Sequence, residues 1–261
     1  MNEYDCKIIA NNNTDFVIAK DVKPGKVPLL IGGYGFYVDW MNFDIKEYFK
    51  KNSLFKINFE KTRIELKMTP SLKEKFEKIQ GFIENFMPLC KPENMIEREY
   101  AVFDREAFSY MMEHQLCVCI ERATLAQYLC QKSEIKSYLV NSFVHIKNGE
   151  KGPHAYIVFE DGNNMFVYDP ANPVKGGGAR IMAMNMDKTI FADFIDAVNY
   201  NADCKDIKQK NRVGFVCEHE DGKKFLYYSS CGTEENTIGP KKLKENRLIK
   251  IIQNQHSEQI N

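Results

Sequence analysis

No run of this sequence approaches the ~20 consecutive apolar residues that a membrane-spanning helix needs. The chain also lacks a surplus of either charge, because its 36 basic and 36 acidic side chains cancel. Without that surplus, neither nucleic acid nor an anionic membrane is an expected partner. The opening residues, Met1 to Lys7, include acids and no apolar stretch suited to a signal-peptide core. A cytoplasmic location is therefore expected, with signal-independent export left open. Eight cysteines in 261 residues are too few and too scattered for a disulfide framework, and in a reducing compartment they should be thiols. Neither the glycines Gly32, Gly33 and Gly35 nor the run Gly176 to Gly178 is followed by the Lys-Ser/Thr of a phosphate loop. Cys117, Cys119 and Cys130 with His114 do not have a usual tetrahedral zinc spacing. Neither a cofactor nor a metal is expected.

What is present suits an ordinary globular protein: 44% hydrophobic and 28% charged residues, in a chain long enough for one well-filled core. Phe55, Ile57 and Phe59 alternate with polar residues, as do Ile64, Leu66 and Met68, which predicts a half-buried hairpin. Thr69-Pro70 then reads as the start of an amphipathic helix carrying Leu72, Phe76, Ile79, Ile83 and Phe86 and ending near Pro88. From Phe103 to Cys130 there is neither proline nor glycine, so helix is expected throughout. Its second half, from Ile120, is apolar on more than one face and belongs in an interior. Strands are expected over Tyr138 to Ile146, His154 to Glu160 and Met165 to Asp169, with turns near Asn148 to Gly152 and at Asp161-Gly162. Asp221-Gly222 suggests a further hairpin. Helices followed by antiparallel strands predict an α+β fold. The tail from about Lys241 is basic and then Asn/Gln-rich, with its end expected to fray.

Asp-Gly is a favoured pair for a two-residue type I′ turn, and placing it at 161–162 pairs Glu160 with Asn163. The same register, carried six residues in each direction, sets His154 opposite Asp169 on one face. A carboxylate there would hold one imidazole nitrogen and leave the other to accept a thiol proton. The expected nucleophile is Cys119, at the start of the interior helix, where a helix N-terminus and a neighbouring imidazole favour the thiolate. Cys117 is the rival, but it lies too early for the helix and has no acid two residues on. Gln115, His114 and Tyr110 are candidates for oxyanion or substrate contacts beside the Cys119 backbone N–H, as is Tyr156.

These residues resemble the transglutaminase-like superfamily of papain-type folds. Its members carry a cysteine followed two residues later by an acid and four later by alanine, as Cys119, Glu121 and Ala123 do. His154-Ala155-Tyr156 matches the second block and Asp169-Pro170 the third, over roughly residues 100 to 175. The order and the separations, 35 residues from Cys119 to His154 and 15 on to Asp169, also agree. Two positions depart from the pattern: no glycine precedes the cysteine, and Tyr156 stands where tryptophan is commoner. The resemblance implies a papain-like core, with the nucleophile at the N-terminus of a buried helix packed on an antiparallel sheet carrying His154 and Asp169. It would occupy residues 95–235, with an N-terminal region, 1–94, packing on or completing it and a C-terminal segment, 236–261, beyond.

The implied activity is that of a thiol hydrolase or acyltransferase, a cysteine peptidase or amidase acting on a peptide, protein or small amide through a thioester. Protein-glutamine transamidation or deamidation, arylamine acetylation, and a non-catalytic binding protein on the same fold are the alternatives. The oligomeric state is left open. The glycines at 176–178 are expected to form a mobile loop beside the cleft.

Overall fold

In the computed structural model, which describes residues 6–11, 13–19, 21–31, 37–146, 151–162, 164–183, 214–220 and 224–228, the stretch expected as a hairpin is a helix. Helix α1 (Ile45–Lys51) leads directly into α2 (Ser53–Met68). Residues 55–68 satisfy a period of 3.6 as well as a period of 2, and three local features favour the helix. Asn52 accepts a hydrogen bond from the Phe55 N–H at 2.9 Å, an N-cap. Glu60 pairs with Arg63 at 2.7 Å and Lys61 with Glu65 at 4.0 Å, both along one helix face. Neither glycine nor proline stands at Lys61-Thr62 to turn a hairpin. The consequence is that Phe55, Phe59 and Leu66 are buried, whereas Ile57, Ile64 and Met68 face solvent.

Helix α3 (Leu72–Phe86) forms as expected, but Ser71 is its N-cap, accepting from the Glu74 N–H. Thr69 belongs to the preceding helix, its hydroxyl donating to the Glu65 carbonyl at 2.8 Å. The helix expected over 103–130 is not continuous: α4 (Met95–Phe103) ends where it should begin, and α5 (Phe108–Glu113) and α6 (Cys119–Lys132) follow as separate helices. Tertiary partners make the breaks: Asp44 accepts the Ser109 N–H at 2.7 Å and so caps α5. Arg105 and Gln115 take left-handed conformations, φ 58 and 56, without being glycine.

The strands form an antiparallel sheet in the order β1 (Cys6–Asn11), β2 (Asn13–Ala19), β5 (Ser137–Ile146), β6 (Lys151–Asp161), β7 (Asn164–Tyr168), β8 (Ile181–Ala183). A hairpin of β9 (Gly214–Glu218) and β10 (Lys224–Tyr228) joins the second half of β5. Its last described pair is Glu218 with Lys224, and the Asp221-Gly222 expected to turn it lies outside the described residues. A separate two-stranded sheet holds β3 (Gly25–Ile31) and β4 (Tyr37–Phe43). The architecture is α+β with antiparallel sheets. Because β2 pairs with β5 through Val17–Asn141, Ile18–Val140 and Ala19–Leu139, the first strands extend the sheet that carries His154.

Every residue of α6 from Ile120 to Cys130 is buried, as expected of a helix apolar on more than one face. It packs on β5 and β6, with α2 and α3 over it. Aromatic rings fill the layer: Phe76 lies 4.2 Å from Phe159 and 4.8 Å from Tyr168, and Phe59 lies 5.7 Å from Tyr128. Each such ring removed from water contributes about 1.5–3 kcal/mol. The glycines at 176–178 form a closed turn rather than a free loop. Val174 and Gly178 are joined by a 3.0 Å backbone hydrogen bond, and the next N–H, of Ala179, donates to Glu77 at 2.8 Å. No helix among the described residues is long and apolar enough to cross a membrane. The basic tail and the segment 236–261 lie outside the described residues.

The helix over 53–68 makes a direct prediction. Phe59→Ala should cost about 3–5 kcal/mol and Ile57→Ala no more than about 0.5 kcal/mol, measured by urea unfolding. A hairpin would bury both side chains on one face, and similar losses at the two sites would rule the helix out.

Candidate active site

The turn after β6 falls one residue later than Asp161-Gly162 implied. Asp161 pairs with Asn164 and Glu160 with Met165, and Gly162 takes φ 61 inside the turn. His154 and Asp169 are therefore not opposite each other. A displacement of two positions preserves the face, however, because side chains alternate with period 2. β7 ends with Tyr168 opposite Ile157, so Asp169 follows on the Tyr156 side and His154 is its diagonal neighbour. Long side chains span such a diagonal, and here His154 Nε2 meets Asp169 Oδ2 at 2.8 Å. A carboxylate only accepts, so Nε2 carries the proton and Nδ1 is left for another partner.

Asp169 has no exposed surface, and its charge is met by donors on every side. Asn172 donates to Oδ2 at 3.0 Å and the Ala171 N–H to Oδ1 at 3.2 Å. The same Asn172 amide is 3.5 Å from His154 Nε2. The Asp169 N–H donates to the Arg180 carbonyl at 3.0 Å, and the buried Arg180 guanidinium returns a 2.7 Å bond to the Asn172 carbonyl. The segment from Asp169 to Arg180 is thereby closed on itself.

Cys119 opens α6, half-buried. Val118 at the N-cap has no side-chain acceptor, so only the returning half of a capping box forms: Glu121 Oε2 accepts the Val118 N–H at 2.8 Å. The other Glu121 oxygen accepts from Arg98 of α4 at 3.0 Å, and Arg98 also donates to the Leu116 carbonyl at 2.6 Å. The Cys90 N–H holds the Cys117 carbonyl at 2.7 Å. The chain on either side of the Cys119 thiol is thus fixed to α4 and to the segment after α3.

Cys119 lies close enough to His154 for its charge to act on the ring, as the bonded Asp169 does. Burial by itself would lower the pKa of His154, but the negative charges of Asp169 and Cys119, with the Asp169 hydrogen bond, outweigh burial and raise it to about 10. Burial raises the thiols of Cys90, Cys117, Cys130 and Cys217, each by desolvation of the charged form. Cys117 lies in the core with its sulfur 3.7 Å from that of Met112.

The remaining candidates are placed differently. Tyr156 is wholly buried, its hydroxyl 3.0 Å from Ser142 Oγ and its ring 6.2 Å from that of His154. Gln115 is exposed in the turn after α5, and Tyr110 stacks at 4.1 Å on His114, whose Nδ1 is 3.5 Å from Glu97. Neither Gln115 nor Tyr110 is hydrogen-bonded to Cys119, His154 or Asp169. Sequence reasoning missed Arg98, Asn172 and Arg180. The Asn three residues after Asp169 was a visible turn-type signal, whereas no local pattern marks an arginine that acts from another helix. No group of His, Cys, Asp or Glu among the described residues is arranged to hold a metal ion.

No family model matches the chain, and no characterised protein matches it in sequence.

The Arg98–Glu121 pair is almost completely buried, so breaking it from one side strands a charge. Arg98→Met should therefore destabilise the fold by about 3–5 kcal/mol, whereas Arg98→Met combined with Glu121→Met should recover much of that loss. Urea unfolding of the two variants gives the comparison, and equal losses would contradict it.

Proposed function

We propose that this chain is a cysteine-dependent acyl-transfer enzyme on a transglutaminase-like, papain-type core, acting as a peptidase or amidase through a thioester. The observation that carries the reading is the buried His154, hydrogen-bonded to Asp169 at 2.8 Å and with Cys119 within electrostatic range of its ring. That arrangement supplies the three roles of a thiol triad: nucleophile, proton carrier and orienting carboxylate. Cys117 is disfavoured as nucleophile because its thiol is enclosed in the core and raised by burial.

In the first half-reaction Cys119 Sγ attacks the substrate carbonyl carbon while His154 holds the proton. The tetrahedral oxyanion needs a donor, and the Cys119 N–H has no acceptor within the helix because it belongs to the first residue of α6. The C–N bond then breaks, His154 transfers its proton to the leaving amine, and a thioester remains. Water attacks the thioester with His154 taking its proton, which releases the acid and regenerates the thiol–imidazole pair. An amine in place of water would give transamidation by the same route. The substrate class is a peptide, protein or small amide, and a reducing compartment such as the cytoplasm suits the free thiol.

Iodoacetamide at neutral pH should alkylate Cys119 first among the cysteines, and His154→Ala should remove that preference. Peptide mapping by mass spectrometry reads the order, and uniform slow labelling of the wild type would end the enzyme reading. The raised pKa of His154 has a sign that can be checked. The imidazolium should persist through neutral pH and lose its proton near pH 10, as followed by NMR titration of the ring. In Asp169→Asn the carboxylate no longer stabilises the charged ring while burial still opposes it, so the midpoint should move to lower pH. A midpoint unchanged in that variant would refute the assigned cause.

A further inference from the structure

We propose that Gln80 is a positioning residue for Asp169: it grips both residues that flank the carboxylate from a helix that is itself tied to the helix of Cys119. The proposal rests on the reading of Cys119, His154 and Asp169 as one reacting group. Gln80 lies on α3, outside the span that resembles known enzymes, and is wholly buried among Phe76, Ile79, Phe82 and Ile83. A carboxamide among these apolar side chains must be desolvated, which costs on the order of 1–3 kcal/mol unless its groups are bonded. All of its hydrogens are used. Oε1 accepts from the Tyr168 hydroxyl at 2.7 Å, and Nε2 donates to the Pro170 carbonyl at 3.3 Å and to Glu84 Oε1 at 2.6 Å.

Two of those partners bracket Asp169 in the chain, one by its side chain and the other by its backbone. The third leads to the nucleophile. Glu84 Oε1 also accepts from Arg122 Nη2, and Arg122 lies on α6 three residues after Cys119, with no exposed surface. A continuous polar strut therefore runs from the helix of Cys119, through two residues one turn apart on α3, to both sides of Asp169. Turning the carboxamide over would place its NH2 against the Tyr168 donor and its oxygen against the Pro170 and Glu84 acceptors, so the network also fixes which way it points. A leucine or methionine would fill the same space and serve a purely structural role as well. What it cannot do is set the distance from α3 to the residues on either side of the acid.

The test uses the full chain labelled with 15N-histidine. In wild type, the His154 Nε2–H proton bonded to Asp169 should give a downfield resonance, assigned by its absence in His154→Ala. Gln80→Leu, studied at temperatures where circular dichroism shows it folded, should lose that resonance. Its rate of Cys119 alkylation should fall about tenfold or more, since displacements near 1 Å cost rates of this order. Ile79→Val, a change in the same helix and core, should alter neither. If Gln80→Leu does not fold, Tyr168→Phe removes one arm alone and should shift the resonance and slow alkylation to a smaller degree. A resonance and a rate like those of wild type in a folded Gln80→Leu, or in Tyr168→Phe where that variant stands in, would overturn the proposal. Loss of Cys119 selectivity in wild type would instead defeat the enzyme reading, and the resonance would still decide the role of Gln80.

Discussion

The site depends on a carboxylate that has been taken completely out of water. An ionised Asp169 in the interior would cost several kcal/mol if left alone, and the surrounding chain is arranged to supply donors. His154 meets one oxygen, Asn172 the same oxygen, and the Ala171 N–H the second oxygen. Each donor imposes a constraint of its own. His154 must share a face with Asp169, which fixes the parity of the β6–β7 register. Ala171 and Asn172 must turn back immediately after Pro170, and Arg180 closes that turn through the Asn172 carbonyl. The raised pKa of His154 follows from the carboxylate's charge: burial of the ring opposes it, and Asp169, together with Cys119, outweighs burial.

That requirement explains which parts of the structure were legible in the sequence. The juxtaposition of His154 and Asp169 was readable although the predicted turn was one residue early, because an error of two in register leaves the face unchanged. The interior position of α6 was readable because a helix apolar on more than one face is stable only where more than one face is covered. The hairpin expected over 55–68 was a misreading of a pattern that fits both periods, and the deciding Asn52 cap lies outside the alternating residues. The breaks between α4, α5 and α6 were not visible, since neither glycine nor proline marks them. They come from Asp44, more than sixty residues away in the chain, and from Arg98 of α4, whose bond to the Leu116 carbonyl holds the segment between α5 and α6.

Long-range contacts of this kind also bear on how the chain is divided. Residues before 95 contribute β2 to the sheet through β5 and Asp44 to the start of α5. The Val22 N–H reaches the Gln131 side chain on α6 at 3.0 Å, and Gln80 reaches the Pro170 carbonyl. A segment that fills a sheet edge, caps a helix and enters the polar layer behind Asp169 is energetically part of the core it accompanies. The span from 95 to 235 would expose Phe76's partners Phe159 and Tyr168 if it were cut free, along with the β5 edge that β2 now covers.

The same accounting applies to the acid at 121, which at first sight opposes the proposed chemistry. A carboxylate two residues beyond a nucleophilic thiol would repel the thiolate as it forms. Both of its oxygens, however, are committed: one to the Val118 N–H and the other to the Arg98 guanidinium. The N–H is among those a helix leaves without an internal acceptor at its first turn, and the guanidinium carries a full positive charge within electrostatic range of Cys119. Glu121 therefore brings a compensating cation toward the thiol while pinning the backbone on which the thiol stands. A buried ion pair adds little to stability when set against a well-packed apolar pair, so its value here lies in geometry. It fixes the first turn of α6, where the proposed chemistry would have Cys119 present its sulfur to His154 and its N–H to a developing oxyanion.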